Sequence, residues 1–387
     1  MNHDDHDDLG GGLAGNALYT MVVAREQGDW TAAHAAARAI TSRPITAHPA
    51  HANLYRGAPA VAHVLHTAGH RAYARSLAAL DAETAAIAAD RLDAAHHRMD
   101  SGRPPRLREY DLISGLTGLG AYLLHRGHDD VLECVLRYLV RLITEPLTVD
   151  GHQVPGWWAA TDPRDAAGTG RFAHGHANFG IAHGVTGPLA LLALARRAGR
   201  TVDGHDDALA EGVAHLMAWA QPLDNGSTGW PELLPLDTYR KGPQPGAPPC
   251  RPSWCYGTPG IARALQLAAL ALQDDAARRL AEHTTLQTLT DTRQTDQITD
   301  ASLCHGWSGL LLASTRTASD AALPDLTTAL SALHTHLKPD ATRHGTTKDT
   351  GLLTGTPGIL LTAHDLNTLD TTSRPVSPGW ETCLLLN

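Results

Sequence analysis

Apolar residues recur along this chain at helical intervals, most clearly over 131–143. Val131, Leu132, Val135, Leu136, Leu139, Val140 and Ile143 fall there at i, i+3, i+4 spacing, the pattern that lines one face of an α-helix. Gly127 is placed to end the helix before it, because glycine enters the left-handed conformation of a helix C-cap without a Cβ penalty. The stretches 75–100 and 274–289 read the same way, with charges gathered on one side. Strand-like alternation is scarce.

Six segments share a further pattern: YRGAPAVAHVL (55–65), ISGLTGLGAYLL (113–124), AHGVTGPLALL (182–192), CYGTPGIARAL (255–265), CHGWSGLLLAS (304–314) and LTGTPGILLTA (353–363). Each has a glycine, two residues, a second glycine and then an apolar helix-forming run. The first glycines are Gly57, Gly115, Gly184, Gly257, Gly306 and Gly355, spaced by 58, 69, 73, 49 and 49 residues. The second are Gly118, Gly187, Gly260, Gly309 and Gly358, with Ala60 in their place in the first copy. A spacing near 50 accommodates a turn, a helix, a loop and a second helix. Helical pairs repeated in this way stack as an open solenoid or close into a toroid. The uneven spacing favours closure, and predicts an all-α toroid of helical pairs. The longest spacings hold two Gly-, Pro- and Trp-rich insertions, 148–171 and 222–251, which read as ordered loops near a binding face.

Length alone, 387 residues, suggests two or three domains at ~150 residues each. The repeat replaces that expectation with one repeat-built domain over 13–387, preceded by a disordered acidic stretch, 1–12. Hydrophobic residues at 43%, charged at 18% and aromatics at only 5% fit a globular, Ala- and Leu-rich helical chain. The net charge of −9 gives no overall attraction for nucleic acid or anionic lipid. No run approaches the ~20 apolar residues of a membrane span. The opening MNHDDHDDLGGG is the opposite of a secretory signal, so a cytoplasmic location is expected. The recurring Gly-x-x-Gly is not read as a nucleic-acid or phosphate loop. Its glycines instead allow tight turns and close helix approach.

The candidate chemistry sits just before the first glycines. Cys255 stands two residues before Gly257, Cys304 and His305 two and one before Gly306, and His183 one before Gly184. Asp111 stands four before Gly115 and Arg251 six before Gly257. Closing the repeats into a ring would bring these side chains to one end of it. Two thiols and an imidazole form a zinc-type ligand set with a fourth position left for water or substrate. The alternative is a pair of buried cysteines packed as small apolar groups. The other three of the five cysteines are read as core (Cys134) or incidental (Cys250, Cys383). An odd, sparse set does not form a disulfide framework. His183 beside a metal suits proton transfer, and His174 and His176 suit structural roles. Asp111 is read as a helix N-cap or a site residue, and Arg251 as a loop charge or a site residue.

These residues lie in segments that resemble the lanthionine synthetase C family, the LanC-type cyclases. The resemblance rests on NFGIAHGVTGPLALLALA (178–195), RPSWCYGTPG (251–260) and LCHGWSGLL (303–311). It is supported by DLISGLTGLGAYLL (111–124), LLTGTPGIL (352–360) and GWETCLLL (379–386), and it runs from about residue 50 to the end. It implies an all-α, double-layered α/α toroid of about seven inner and seven outer helices, with zinc held by Cys255, Cys304 and His305. It also implies a catalytic His183 joined by Asp111, Arg251 and Tyr256. The segment 148–171 is too short for the SH2-like insertion that some members carry. The reaction implied is cyclisation of a dehydrated lanthipeptide precursor, in which a cysteine thiol adds to dehydroalanine or dehydrobutyrine. The partner implied is a LanB-type dehydratase. His183 fits either as the acid that protonates the α-carbon or as the base that takes the thiol proton. Three rival readings are a relative that joins glutathione to dehydrated residues, a zinc-dependent prenyltransferase-like toroid and a peptide-binding scaffold without catalysis. The prenyltransferase reading lacks its Asp ligand and its basic diphosphate site.

Overall fold

The computed structural model describes residues 6–164, 166, 169–321, 323–337, 350–369 and 379–387. Among them, seven helices form an inner ring: α1 (Leu13–Gln27), α3 (Ala58–Ala68), α5 (Leu116–Arg126), α7 (Thr186–Arg197), α9 (Thr258–Leu272), α11 (Trp307–Asp320) and α13 (Thr356–Leu369). Six outer helices follow the first six of these: α2 (Thr31–Thr41), α4 (Ala74–Asp100), α6 (Asp129–Thr144), α8 (His205–Trp219), α10 (Asp275–Thr290) and α12 (Pro324–Leu333). Each inner helix packs on the next, α13 returns to α1, and each of the first six packs on the outer helix that follows it. The result is a closed, two-layered α/α toroid. Among the described residues no helix is long and apolar enough to cross a membrane.

The layers follow from the sequence. Every residue of α9 from Thr258 to Ala269 is buried, as expected for a helix enclosed on all sides. The outer α6 buries only one stripe, including Leu132, Val135, Leu136, Leu139 and Ile143. Cys134, read as core, is exposed instead. It projects with Glu133 and Arg137 on the solvent face of α6, because at about 100° per residue it lies on the far side of the helix from Leu132, Leu136 and Ile143 in the buried stripe.

The seventh inner helix corrects the reading of the N-terminus. Gly12-Leu13-Ala14-Gly15 is another copy of the glycine pattern, and α1 begins directly after its first glycine. Residues 6–12, expected to be disordered, are held in place. Leu9 is fully buried, the Asp7 carboxylate accepts the Thr46 N–H at 2.8 Å, and the Asp7 carbonyl accepts Gly57 N–H. Backbone donors satisfy the acid that looked like a solvated tail. Residues 1–5 lie outside the described residues.

The second glycines are required by close approach rather than by φ. A Cβ on Gly260 would lie 2.0 Å from the Trp254 carbonyl oxygen, and one on Gly15 2.4 Å from Leu352 N. The turns also hydrogen bond to one another around the ring. Leu112 N–H donates to Ala182 O, Ala182 to Cys255, Cys255 to Cys304, Cys304 to Leu353, Leu353 to Gly10 and Leu9 to Tyr55. Among the described residues, six of the seven junctions are bridged in this way. At the seventh, Tyr55 N–H turns to the Asn53 side chain instead.

The tail, residues 379–387, fills the axis. Trp380, Cys383, Leu384 and Leu386 are fully buried. The carbonyls of Trp380, Cys383, Leu384 and Leu386 meet His63, Tyr55, Trp254 and Arg263 side chains at 2.7–3.1 Å. Arg316 of α11 pairs with Glu381 at 2.7 Å and Asp365 at 2.5 Å, with all three side chains almost wholly buried. Arg316→Met would leave two buried carboxylates without their cation. We expect a loss of about 3–5 kcal/mol, read as a lowered midpoint in urea unfolding; an unchanged midpoint would refute it.

The insertions carry short antiparallel ladders: β1 (Leu147–Val149) with β2 (His152–Val154), β3 (His176–Asn178) with β6 (Leu233–Pro235), and β4 (Gln221–Pro222) with β5 (Thr228–Gly229). The β3–β6 ladder ties the segment that follows the first insertion to the second, directly before the turn that carries His183.

Candidate active site

The turn-to-turn hydrogen bonds explain how residues 49 apart come together. Cys255 and Cys304 occupy the same repeat position, and the Cys255 N–H donates to the Cys304 carbonyl at 3.2 Å. Both side chains therefore leave neighbouring turns at the same end of the ring. One ligand atom each of Cys255, Cys304 and His305 lies within 4.8 Å of the others. Among the described residues this is the one group of three or more Cys, His, Asp or Glu so gathered. Cys255 is buried, whereas Cys304 and His305 are half-exposed, so the cluster opens on one side.

The donors suit zinc. Two sulfurs and an imidazole match a borderline-soft ion, and ligands of a tetrahedral zinc stand about 3.5–4 Å apart, close to the spread found here. The Cys304 hydrogen bond draws the Cys255 thiol down to about 7, aided by the Ser253 hydroxyl and the Arg251 charge. Cys304 is pushed well above the usual thiol range by the same bond and by burial. The two sulfurs thus share a hydrogen bond, whose proton a cation held by both would displace.

Beside the cluster, His183 Nδ1 meets Asp111 Oδ2 at 2.6 Å. Asp111 is only 1% exposed, and its Oδ1 accepts the Ser114 N–H at 2.6 Å. It does not cap α5, which begins at Leu116 after Gly115. Instead it braces its own turn and the His183 ring. The Tyr256 ring lies 6.1 Å from that of His183, and burial pushes its phenol up to about 12. Arg251 is half-buried. Its charge acts on both thiols and on the carboxyls of Glu232 and Asp300.

The other candidates fall outside this group. His174 is more than half exposed, 3.9 Å from Asp150. His176 is buried, bonded through Nδ1 to Thr161 O at 2.9 Å, and held down to about 4 by burial, so it is a neutral structural ring. Cys250 is exposed, and Cys383 is buried in the tail.

Sequence reasoning missed three neighbours. Asp300 Oδ2 lies 3.5 Å from His305 Nε2, Asn178 Nδ2 donates to the Tyr256 hydroxyl at 3.4 Å, and the Glu232 carboxyl is raised by burial against the opposing charge of Arg251. A signal existed for two of them. Asn178 and Asp300 stand six residues before their first glycines, the repeat position of Arg251.

A family model described as "Lanthionine synthetase C-like protein" matches residues 3–385. It includes residues 3–50, which the motif resemblance did not reach, in keeping with the copy at Gly12. The chain is similar to "Nisin biosynthesis protein NisC" of Lactococcus lactis subsp. lactis, 26% identical over 211 residues. That match covers 52% of this chain and 48% of the relative, so it spans about half the length of the curated protein. A solved structure described as "Nisin cyclase" shares the fold, with a TM-score of 0.78 at 20% identity over 100% of this chain and 93% of that one.

Proposed function

This chain belongs to the lanthionine synthetase C-like family, and from that premise we propose that it is a zinc-dependent lanthipeptide cyclase. The observation that carries the reading is the convergence of Cys255, Cys304 and His305 at one open end of the ring, beside a His183 held by Asp111. Fold alone would not assign an activity; the donor set and the braced imidazole support this one.

Cys255, Cys304 and His305 would hold the zinc. Bound there, it supplies the Lewis acidity that brings a substrate thiol, with an ordinary pKa of ~8.5, into its thiolate form at neutral pH. The sulfur then adds to the β-carbon of a dehydroalanine or dehydrobutyrine. A C–S bond forms, the alkene π pair moves onto the α-carbon and its carbonyl as an enolate, and the α-carbon takes a proton. The thiol proton leaves to solvent, so no oxidant or reductant is needed and the peptide mass is unchanged.

The chain's own residues divide the remaining work. Asp111 engages His183 Nδ1, which leaves Nε2 as the ring nitrogen that can exchange a proton with substrate. His183 is one-third exposed and so open to substrate, and as an imidazolium it donates the proton to the α-carbon. Arg251 places a permanent positive charge where the enolate oxygen develops. Tyr256 stays a neutral phenol and can donate a hydrogen bond to a substrate carbonyl. The substrate is a precursor peptide whose Ser and Thr residues have already been dehydrated, and the partner is a LanB-type dehydratase in the cytoplasm.

The test is incubation of the zinc-loaded protein with a dehydrated, cysteine-containing precursor. We expect loss of thiol alkylation at constant mass. If alkylation persists and glutathione adducts form when glutathione is added, the small-thiol reading replaces this one. If neither occurs while the peptide still binds, the protein is a scaffold.

A further inference from the structure

One junction of the ring is built differently from the other six. Between the Tyr55 turn and the Asp111–Gly115 turn, no turn-to-turn backbone hydrogen bond is made among the described residues. A side chain from the outer layer reaches this gap. Arg91 of α4 donates through Nε to Pro49 O at 2.7 Å and through Nη2 to Ala52 O at 2.8 Å, both on the approach to the Tyr55 turn. Its Nη1 donates to Ser114 O on the other side. One planar guanidinium thus spans the unbridged junction with three directed bonds, a geometry that an ammonium cannot reproduce.

The far end of that span is the site. Ser114 accepts from Arg91 through its carbonyl and donates through its N–H to Asp111 Oδ1. The other oxygen of Asp111 holds His183 Nδ1. The next junction is closed by Leu112 N–H on Ala182 O, so the Asp111 turn is fixed to the His183 turn on one side and to Arg91 on the other. We propose that Arg91 is a positioning residue for the His183–Asp111 pair, replacing the missing turn-to-turn hydrogen bond and setting the orientation of the Asp111 carboxylate. Its role in ring closure of the peptide rests on the cyclase reading above; its hold on the pair does not.

Two measurements test this. In NMR spectra of the wild-type protein, the His183 ring N–H bonded to Asp111 should appear as a downfield proton that is absent in His183→Phe. In Arg91→Ala it should be lost or moved, and in Arg91→Lys only partly restored. In cyclisation assays Arg91→Ala should lower kcat by about 10–100-fold, the scale of a misplacement near 1 Å. KM should stay within about twofold and the zinc content unchanged, because Arg91 touches no ligand. Should the alanine variant fail to fold, the lysine variant carries both readouts. An unmoved ring proton together with wild-type kcat in a folded variant would overturn the proposal. If the wild-type protein cyclises no peptide yet the ring proton responds to Arg91, the cyclase reading falls and the positioning role stands.

Discussion

Cys304→Ala is expected to strip the protein of zinc and abolish cyclisation. Wild-type protein should carry about one zinc per chain, the stoichiometry of a single three-ligand site. The variant should lose most of it at micromolar protein, because one soft ligand of three is gone. The fold should survive. Both ring hydrogen bonds at this position use the backbone, from Cys304 N–H to Leu353 O and from Cys255 N–H to Cys304 O, and alanine keeps them. The rate argument has a floor. A thiol of pKa ~8.5 is only about 3% ionised at pH 7, so ionisation alone costs roughly thirtyfold without the metal, and lost positioning adds to that. Metal analysis and a melting curve check the set; full zinc retention would remove Cys304 from the site.

His183→Phe should have the second-largest effect, a loss of about 10²–10⁴ in kcat, the usual contribution of a positioned acid or base. Zinc should be retained, because His183 is not among the gathered ligands. Phenylalanine keeps the ring beside Tyr256 but leaves the buried Asp111 carboxylate with the Ser114 backbone N–H as its remaining described hydrogen-bond partner. His183→Asn controls for that loss, since its amide can still donate to Asp111. If both variants cyclise peptide at the wild-type rate, His183 plays no part in the chemistry.

Much of the site was legible because the chain repeats itself. Cys255 and Cys304 could be paired from their equal distances to Gly257 and Gly306, since equivalent positions in a ring are spatial neighbours. The same logic, carried to the position six residues before each glycine, would have found Asn178 and Asp300 along with Arg251. It was not legible that residues 9–22 form the seventh copy. Three consecutive glycines after an acidic run look like a solvated tail unless the carbonyls and N–H groups waiting at Thr46, Tyr55 and Leu352 are known. Cys134 shows the opposite limit. The periodicity placed a helix correctly over 131–143, but a one-residue choice of apolar register decides which face a side chain takes.

The sequence by itself determined the period, the helical layers and the residue types of the gathered Cys/His group, because these depend on local spacing and residue type. The tertiary structure alone decided the closure: Gly10 meeting Leu353 from opposite ends of the chain, the tail filling the axis, and Arg91 standing in at the one unbridged junction. Hydrogen bonds between distant turns leave no mark on local periodicity. They exist only once the ring has brought those turns together.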